Sequence, residues 1–265
     1  EGDKTGLNGV AAVSPQGIPL WEPKGPAPFT GMLISPNLVL GKKLDGVGAI
    51  QAVLADPDRV NVVYVGTVNG GVWKTETANT PNPTWTPQTD QFPSLSIGAL
   101  VFDTADITHQ TLYAGIGQAS SAGGQGGPLI GLLKGTNGGS HWELVGRETF
   151  NERPITNIVA HGNVILVATD VGPLFRSDDF GETFKPSAEQ PNNGLPAGRY
   201  NVTALVADPE NANQLYLGIA TKGIFRSVNT GETWTPVNDG IAANDISASF
   251  RMGIAVHHRV DPQTH

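Results

Sequence analysis

Carboxylates recur in matched settings along this chain, and carboxylates can move protons. The stretches Phe175-Arg176-Ser177-Asp178-Asp179-Phe180-Gly181-Glu182-Thr183-Phe184 and Phe225-Arg226-Ser227-Val228-Asn229-Thr230-Gly231-Glu232-Thr233-Trp234 share one frame, Ser-x-Asp/Asn-x-Gly-x-Thr-aromatic. A partial copy carries Asn137, Gly139 and Trp142. Asp170 stands outside the frame, in Ala168-Thr169-Asp170-Val171-Gly172. Two carboxylates facing across a cleft, one as acid and one as base or nucleophile, are what glycosidic hydrolysis requires. A carboxylate inside a tight turn has a simpler use. Asp, Asn and Ser side chains bond to nearby backbone groups and close the turn, and the Gly takes a positive φ that a side chain would oppose. Asp179 and Asn229 therefore read as turn formers. Ser177, Gly181, Phe184, Ser227, Gly231, Trp234, Asn137, Gly139 and Trp142 are their structural partners. Asp170, Asp90 and Asp245 are carboxylates outside these turns.

The elements that must hold these residues come from the same repeat. Val72-Trp73-Lys74-Thr75, Leu132-Leu133-Lys134-Gly135, Leu174-Phe175-Arg176-Ser177 and Ile224-Phe225-Arg226-Ser227 align, each followed by a closing aromatic at Trp85, Trp142, Phe184 or Trp234. The aromatics lie 57, 42 and 50 residues apart, which is the period of a four-stranded propeller blade. Upstream of each lie two further apolar segments, with small residues recurring where blades converge; β-branched and aromatic residues suit strands buried on both faces. The expected fold class is all-β: a β-propeller of four-stranded blades, four of them recognisable (about 47–90, 96–146, 155–188 and 200–237) and a partial fifth at 250–265. Residues 1–46 read as an extended Pro/Gly-rich lead-in, with a hairpin available at 32–40. The fifth copy starts at Ile254, reaches Asp261-Pro262 and stops, so either the chain is a fragment of a longer propeller or its amino-terminal region or another chain completes the blade.

Composition narrows the partners. The 265 residues include 34 Gly and 20 Pro, with 38% hydrophobic and only 15% charged residues, the balance of a turn-rich β protein. The net charge of −8 makes a phosphate backbone a poor partner, so nucleic acid is not expected. No apolar run is long enough to span a membrane. There is no Cys, which removes disulfides, thiolate metal sites and a Cys nucleophile. His257 and His258 are adjacent on a strand and point to opposite faces, so no metal site is expected, and no cofactor motif is present.

Up-and-down strands put connections on two faces. The framed turns share one face with the Asp56-Pro57 and Asp208-Pro209 turns. The links between strands two and three, and between blades, share the other, where variable loops converge and ligands usually bind. The Gly-rich segment Gly117–Pro128 and the inter-blade links bring Gln118, Ser120, Ser121, Gln125, Arg153, Arg199, Tyr200 and Asp245 to that face as candidate binding residues.

The frame resembles the Asp-box, or bacterial neuraminidase repeat, found in sialidases, family 74 xyloglucan hydrolases, sortilin-type receptors and many secreted bacterial proteins. The match is close at Ser177, Asp179, Gly181, Thr183 and Phe184. It is good at Ser227, Asn229, Gly231, Thr233 and Trp234, partial at Gly135, Asn137, Gly139 and Trp142, and degraded between Thr75 and Trp85. The resemblance speaks for fold more than function. The first repeat, Val63-Tyr64-Val65-Gly66-Thr67-Val68-Asn69-Gly70-Gly71-Val72-Trp73, is similar to the opening of the family 74 hydrolases. In that family an Asp with a catalytic role follows the Thr; here Val68 stands there, and the equivalent carboxylate is Asp170, two blades later. The sialidase pattern is matched only by Glu152-Arg153-Pro154-Ile155, in the wrong order.

These observations lead to an expected non-enzymatic binding or interaction module, secreted, extracellular or periplasmic, that meets a polypeptide or a glycan on its loop face. Two alternatives stand beside it: a glycoside hydrolase resembling family 74, and a structural blade array within a larger exoprotein.

Overall fold

The computed structural model describes residues 29–32, 44–46, 49–118, 126–170, 172–190 and 192–256. A short antiparallel pair, β1 (Phe29–Met32) with β2 (Leu44–Gly46), comes first. The hairpin expected at 32–40 falls mostly on residues outside this description. Four antiparallel four-stranded sheets follow in chain order. Blade 1 holds β3 (Ile50–Ala55), β4 (Val63–Thr67), β5 (Val72–Thr75) and β6 (Trp85–Pro87). Blade 2 holds β7 (Ile97–Phe102), β8 (Leu112–Ile116), β9 (Leu132–Thr136) and β10 (His141–Val145). A one-turn helix, α1 (Arg147–Phe150), leads to blade 3: β11 (Ile155–His161), β12 (Val164–Thr169), β13 (Leu174–Ser177) and β14 (Lys185–Pro186). Blade 4 holds β15 (Val202–Ala207), β16 (Leu215–Ile219), β17 (Gly223–Ser227) and β18 (Thr235–Pro236), and α2 (Ala243–Ala248) follows it.

Within each sheet the strands pair in sequence order, and the first strands lie one against the next, β3 on β7, β7 on β11, β11 on β15. The fold is a β-propeller with several blades, as expected. Residues 251–256 continue beyond α2 without a strand of their own, and the rest of the expected fifth copy, including His257, His258 and Asp261, lies outside the described residues.

The apolar core sits between blades rather than inside them. One cluster joins Val62, Tyr64 and Val72 of blade 1 to Ile97, Leu112, Leu133 and Trp142 of blade 2. A second joins Tyr113 and Leu132 of blade 2 to Phe150, Ile155, Ile165 and Phe184. A third joins Leu166 and Leu174 of blade 3 to Val202, Leu217 and Trp234 of blade 4. Strands buried on both faces must be apolar on both sides, which explains why β8, β12 and β16 consist almost wholly of apolar, aromatic and small residues.

A single close contact sets each seam. The second strand carries a small residue at one register position, Gly66, Gly115, Ala168 or Gly218, paired with the third residue of its own first strand. At Gly66 a Cβ would stand 2.5 Å from Cγ2 of Ile97 in the next blade, and at Gly115 it would stand 2.8 Å from Cβ of Ile155. At these two seams a missing side chain makes room for the first residue of the next inner strand; blade 3 has Ala168 at that position.

Turn positions follow the expected two-face plan. In all four blades a backbone N–H of the turn between strands three and four donates to the link between strands one and two: Ala78 to Asn61, Gly138 to Gln110, Phe180 to Asn163 and Thr230 to Asn213. On the other face, the links between strands two and three bond the inter-blade segments, as in Gly71 N–H to Leu95 O and Gly172 N–H to Tyr200 O.

The seam makes a prediction. Gly115→Ala overpacks the contact with Ile155 and is expected to cost about 1–3 kcal/mol. Gly253→Ala, where an added Cβ meets nothing within 4 Å, should stay within about 0.5 kcal/mol of the parent. Urea unfolding of the two variants measures the difference; equal midpoints would sink the seam argument.

Candidate functional site

The Asp179 carboxylate of the repeated frame is engaged inside its own turn. Ser177 Oγ donates to Asp179 Oδ1 at 2.7 Å and accepts from Gly181 N–H at 2.9 Å. Asp179 accepts from the Thr183 N–H at 2.9 Å and from the Thr183 hydroxyl at 2.5 Å. The Thr183 hydroxyl, then its N–H, then Ser177 hold the Asp179 carboxyl down to about 2. Asn229 repeats the arrangement without a charge: its Oδ1 accepts from Ser227 Oγ at 2.9 Å and from Thr233 N–H at 2.9 Å, and its Nδ2 donates to Thr233 Oγ1 at 2.9 Å. Left-handed backbone at Phe180 and Gly181, φ 61° and 92°, recurs at Thr230 and Gly231 and at Gly138 and Gly139. The closing Trp142 and Trp234 donate Nε1–H to Gly139 O and Gly231 O at 2.7 and 3.1 Å. Within these turns the Asp179 and Asn229 side chains bond to neighbouring turn groups.

The opposite face gathers the remaining groups. Asp170 follows the last residue of β12, and its N–H donates to Pro154 O at 3.0 Å. The same bond appears in the other blades, from Val68 to Ala49, Gly117 to Ser96 and Ala220 to Asn201. The four residues are thus structurally equivalent, and Asp170 alone among them can ionise; it is exposed. The hydroxyl of Thr169 just before it is buried without a hydrogen-bond partner among the described residues, and Gly172 lies close enough that a Cβ there would stand 2.7 Å from that oxygen.

The other expected residues scatter. Arg153 is exposed and lays its guanidinium 5.5 Å from the centre of the Phe175 ring. Tyr200, expected to face a ligand, is buried, and its hydroxyl accepts the Leu174 N–H at 3.3 Å. Burial pushes its phenol above the ordinary value, against the opposing Leu174 bond. A large aromatic on a link between blades covers the seam more cheaply than it faces water. Gln118 is half-buried and donates to Gly127 O at 3.1 Å, so it pins the far end of the Gly-rich segment. Ser120, Ser121 and Gln125 fall outside the described residues. Arg199 and Asp90 are exposed, and Asp245 is exposed in the first turn of α2.

Two groupings escaped the sequence pattern. Ser96 Oγ donates to Asn69 Oδ1 at 2.7 Å and accepts from Gly127 N–H at 2.8 Å, tying loops of blades 1 and 2 together on the loop face. On the turn face, donors of Asp56, Asp58 and His109 gather within 4.8 Å. Asp56 is already engaged there. Burial opposes its ionisation, but bonds from the Arg59 guanidinium and the Asp58 and Arg59 N–H groups bring its carboxyl below the ordinary value. His109 Nδ1 lies 3.1 Å from Asp58 and bridges two blades. The signal for both would have been spatial, since each joins residues of different copies.

Known proteins match the fold at low identity. No protein-family model matches the chain. A xyloglucanase from a Paenibacillus species is 24% identical over 234 residues, 76% of this chain and 22% of that enzyme. Among solved structures, an ancestral enzyme of glycoside hydrolase family 74 superposes with a TM-score of 0.53 at 22% identity, covering 84% of this chain and 26% of its own. The family 74 xyloglucanase of Xanthomonas campestris superposes with a TM-score of 0.52 at 21% identity, covering 74% of this chain and 31% of its own. The chain thus spans less than a third of the length of each. Among the described residues no helix is long and apolar enough to cross a membrane.

The turn geometry predicts an acid response. A carboxyl held at about 2 when folded, against an ordinary value near 4, favours the fold above about pH 4, and that contribution is lost as pH falls toward about 2. Asp179→Asn should match the parent at neutral pH to within about 0.5 kcal/mol, because Asn229 already makes the same bonds, and should lose less stability between about pH 4 and 2. Asp179→Ala should lose about 1 kcal/mol at neutral pH. Thermal melts across that range check both.

Proposed function

We propose that this chain is the blade-bearing part of a secreted glycan-processing propeller, akin to xyloglucanases, whose repeated turns are Asp-boxes. It engages a polysaccharide over the loop face, and Asp170 supplies one carboxylate for cleavage of a glycosidic bond. The observation that carries this reading is the seat of Asp170. It stands directly after the last residue of a second strand, on the loop face, at the register position that Val68 holds in blade 1. Exposed Asp90 and Asp245 are the candidates for the second group that such hydrolysis needs. The low-identity relationship to a xyloglucanase and to family 74 folds supports a glycan as the partner over a polypeptide.

One observation favours a second reading, a glycan-binding module without hydrolysis. In blade 1 the equivalent position is Val68, which cannot move a proton, although that repeat is the one that resembles the opening of the hydrolases.

One experiment separates the two. Xyloglucan and unbranched β-glucan are incubated with the parent chain and with Asp170→Asn, reading released reducing ends and binding by affinity electrophoresis. The hydrolase reading expects release from the parent and at least about a hundredfold less from Asp170→Asn with binding retained. Binding without release from either supports the binding module. Neither binding nor release on any glucan overturns the proposal.

A further inference from the structure

Blades 1 and 2 meet on the turn face through groups that bind metal ions. The link after β3 carries Asp56 and Asp58, and the link after β7 carries His109. One oxygen of each carboxylate and Nδ1 of the imidazole all lie within 4.8 Å of one another. Nδ1 stands 3.1 Å from Asp58 Oδ2 and 3.9 Å from Asp56 Oδ1. Two ligands held by one zinc ion at about 2.0–2.2 Å lie roughly 3–3.5 Å apart. The first separation already fits, and the second needs a closure of a few tenths of an ångström.

Two of the three donors are seated in advance. The His109 side chain is 18% exposed, and its ring packs 5.3 Å from that of Phe102. Its backbone N–H donates to Asp106 O at 3.0 Å. The Asp106 carboxylate accepts the N–H groups of Thr108, Gln110 and Thr111, which closes the turn that carries His109. The Asp56 side chain is fully buried. The Arg59 guanidinium holds its Oδ2 at 2.9 and 2.6 Å. Oδ1, which accepts the Asp58 and Arg59 N–H groups, is the oxygen near His109. Asp58 is 70% exposed and free to adjust. Fixed donors beside one adjustable donor make a preorganised site that still accommodates an ion.

Donor type selects the ion. Calcium takes six to eight oxygens and magnesium a near-ideal octahedron of them. One imidazole nitrogen with two carboxylates suits zinc, with water completing the shell from the exposed side. The two carboxylates outweigh Arg59, so the cluster keeps a net negative charge for a divalent cation.

We propose that Asp56, Asp58 and His109 form a zinc site that clamps blade 1 to blade 2 on the turn face. His109 Nδ1 and Asp58 Oδ2 are the principal ligands. Asp56 Oδ1 is the third and the weakest, because two backbone N–H groups already bond to it. The imidazole gives its Nδ1 lone pair and keeps its one proton on Nε2. The clamp lies on the face opposite Asp170, so it stands or falls separately from the glycan reading. Without an ion, the same groups make only an ion pair between blades.

Zinc chloride is titrated into the full chain by calorimetry at about pH 7.5, where ligand deprotonation favours binding, and thermal melts are run with zinc or calcium chloride. The proposal expects zinc binding that weakens at least about tenfold in His109→Ala and in Asp58→Asn. It expects a melting temperature that zinc raises and calcium does not. Asp58→Asn alters an exposed side chain, so loss of binding there is not loss of fold. His141→Ala, at an exposed histidine on β10, should bind zinc like the parent. Undiminished binding in both site variants overturns the proposal and assigns the ion to other histidines. No zinc binding leaves the ion pair alone and also overturns it. Equal stabilisation by calcium removes the imidazole from the site. Binding that both variants weaken, without a rise in melting temperature, refutes the clamp.

Discussion

The packing of one blade on the next hangs on a small residue, glycine or alanine, at one register position of each second strand. Gly66 and Gly115 leave room for Ile97 and Ile155, Ala168 shares a cluster with Val202, and Gly218 receives Met252. Interiors pack at near-crystalline density, so a seam either fits or strains. Because the apolar core lies between blades, this contact decides the spacing of the whole array. The turns on one face and the loops on the other are then carried to fixed places. Asp170 owes its position to that scaffold: its N–H bond to Pro154 is the third use of a link that every blade makes.

Separation of labour between the faces explains why carboxylates here differ in meaning. On the turn face, Asp179 is saturated by donors from Ser177 and Thr183 and behaves as a piece of backbone. Asp106 does the same at the Thr108–Thr111 turn, where the Thr108 hydroxyl bond is the largest influence and holds it to about 2 despite opposing burial. On the loop face, Asp170 is exposed. The same side-chain chemistry closes a turn at Asp179 and faces solvent at Asp170.

Much of this was legible in the sequence, and the reason is local. The strand segments, their period and the Ser-x-Asp-x-Gly turns are written within a few residues of each other, so Ser177 to Phe184 and Ser227 to Trp234 could be read directly. The turn assignment of Asp179 rested on the same short range. What escaped depended on neighbouring copies. Tyr200 looked like a loop aromatic, and only the approach of Leu174 shows it as part of a wall. The Ser96–Asn69 tie and the Asp56–Asp58–His109 grouping join residues of different blades. The helices α1 and α2 span four and six residues, too short to impose a readable helical period. In blade 1 the insertion between Thr75 and Trp85 blurred the frame, although the fourth strand forms at Trp85 as expected.

Each blade also reaches forward to hold the next. Tyr64 in blade 1 donates its hydroxyl to Gly138 O in the turn of blade 2 at 2.9 Å, and Arg176 in blade 3 donates to Thr230 O in the turn of blade 4. Asp103 in blade 2 accepts from Gly162 N–H in blade 3 at 2.8 Å. In these three turn-face contacts the anchoring groups sit on the amino-terminal partner and the anchored backbone on the carboxyl-terminal one. During synthesis the earlier blade leaves the ribosome first. A nascent blade therefore finds its template already built, and the array can grow by docking in the direction of translation, with only its newest edge exposed at any moment.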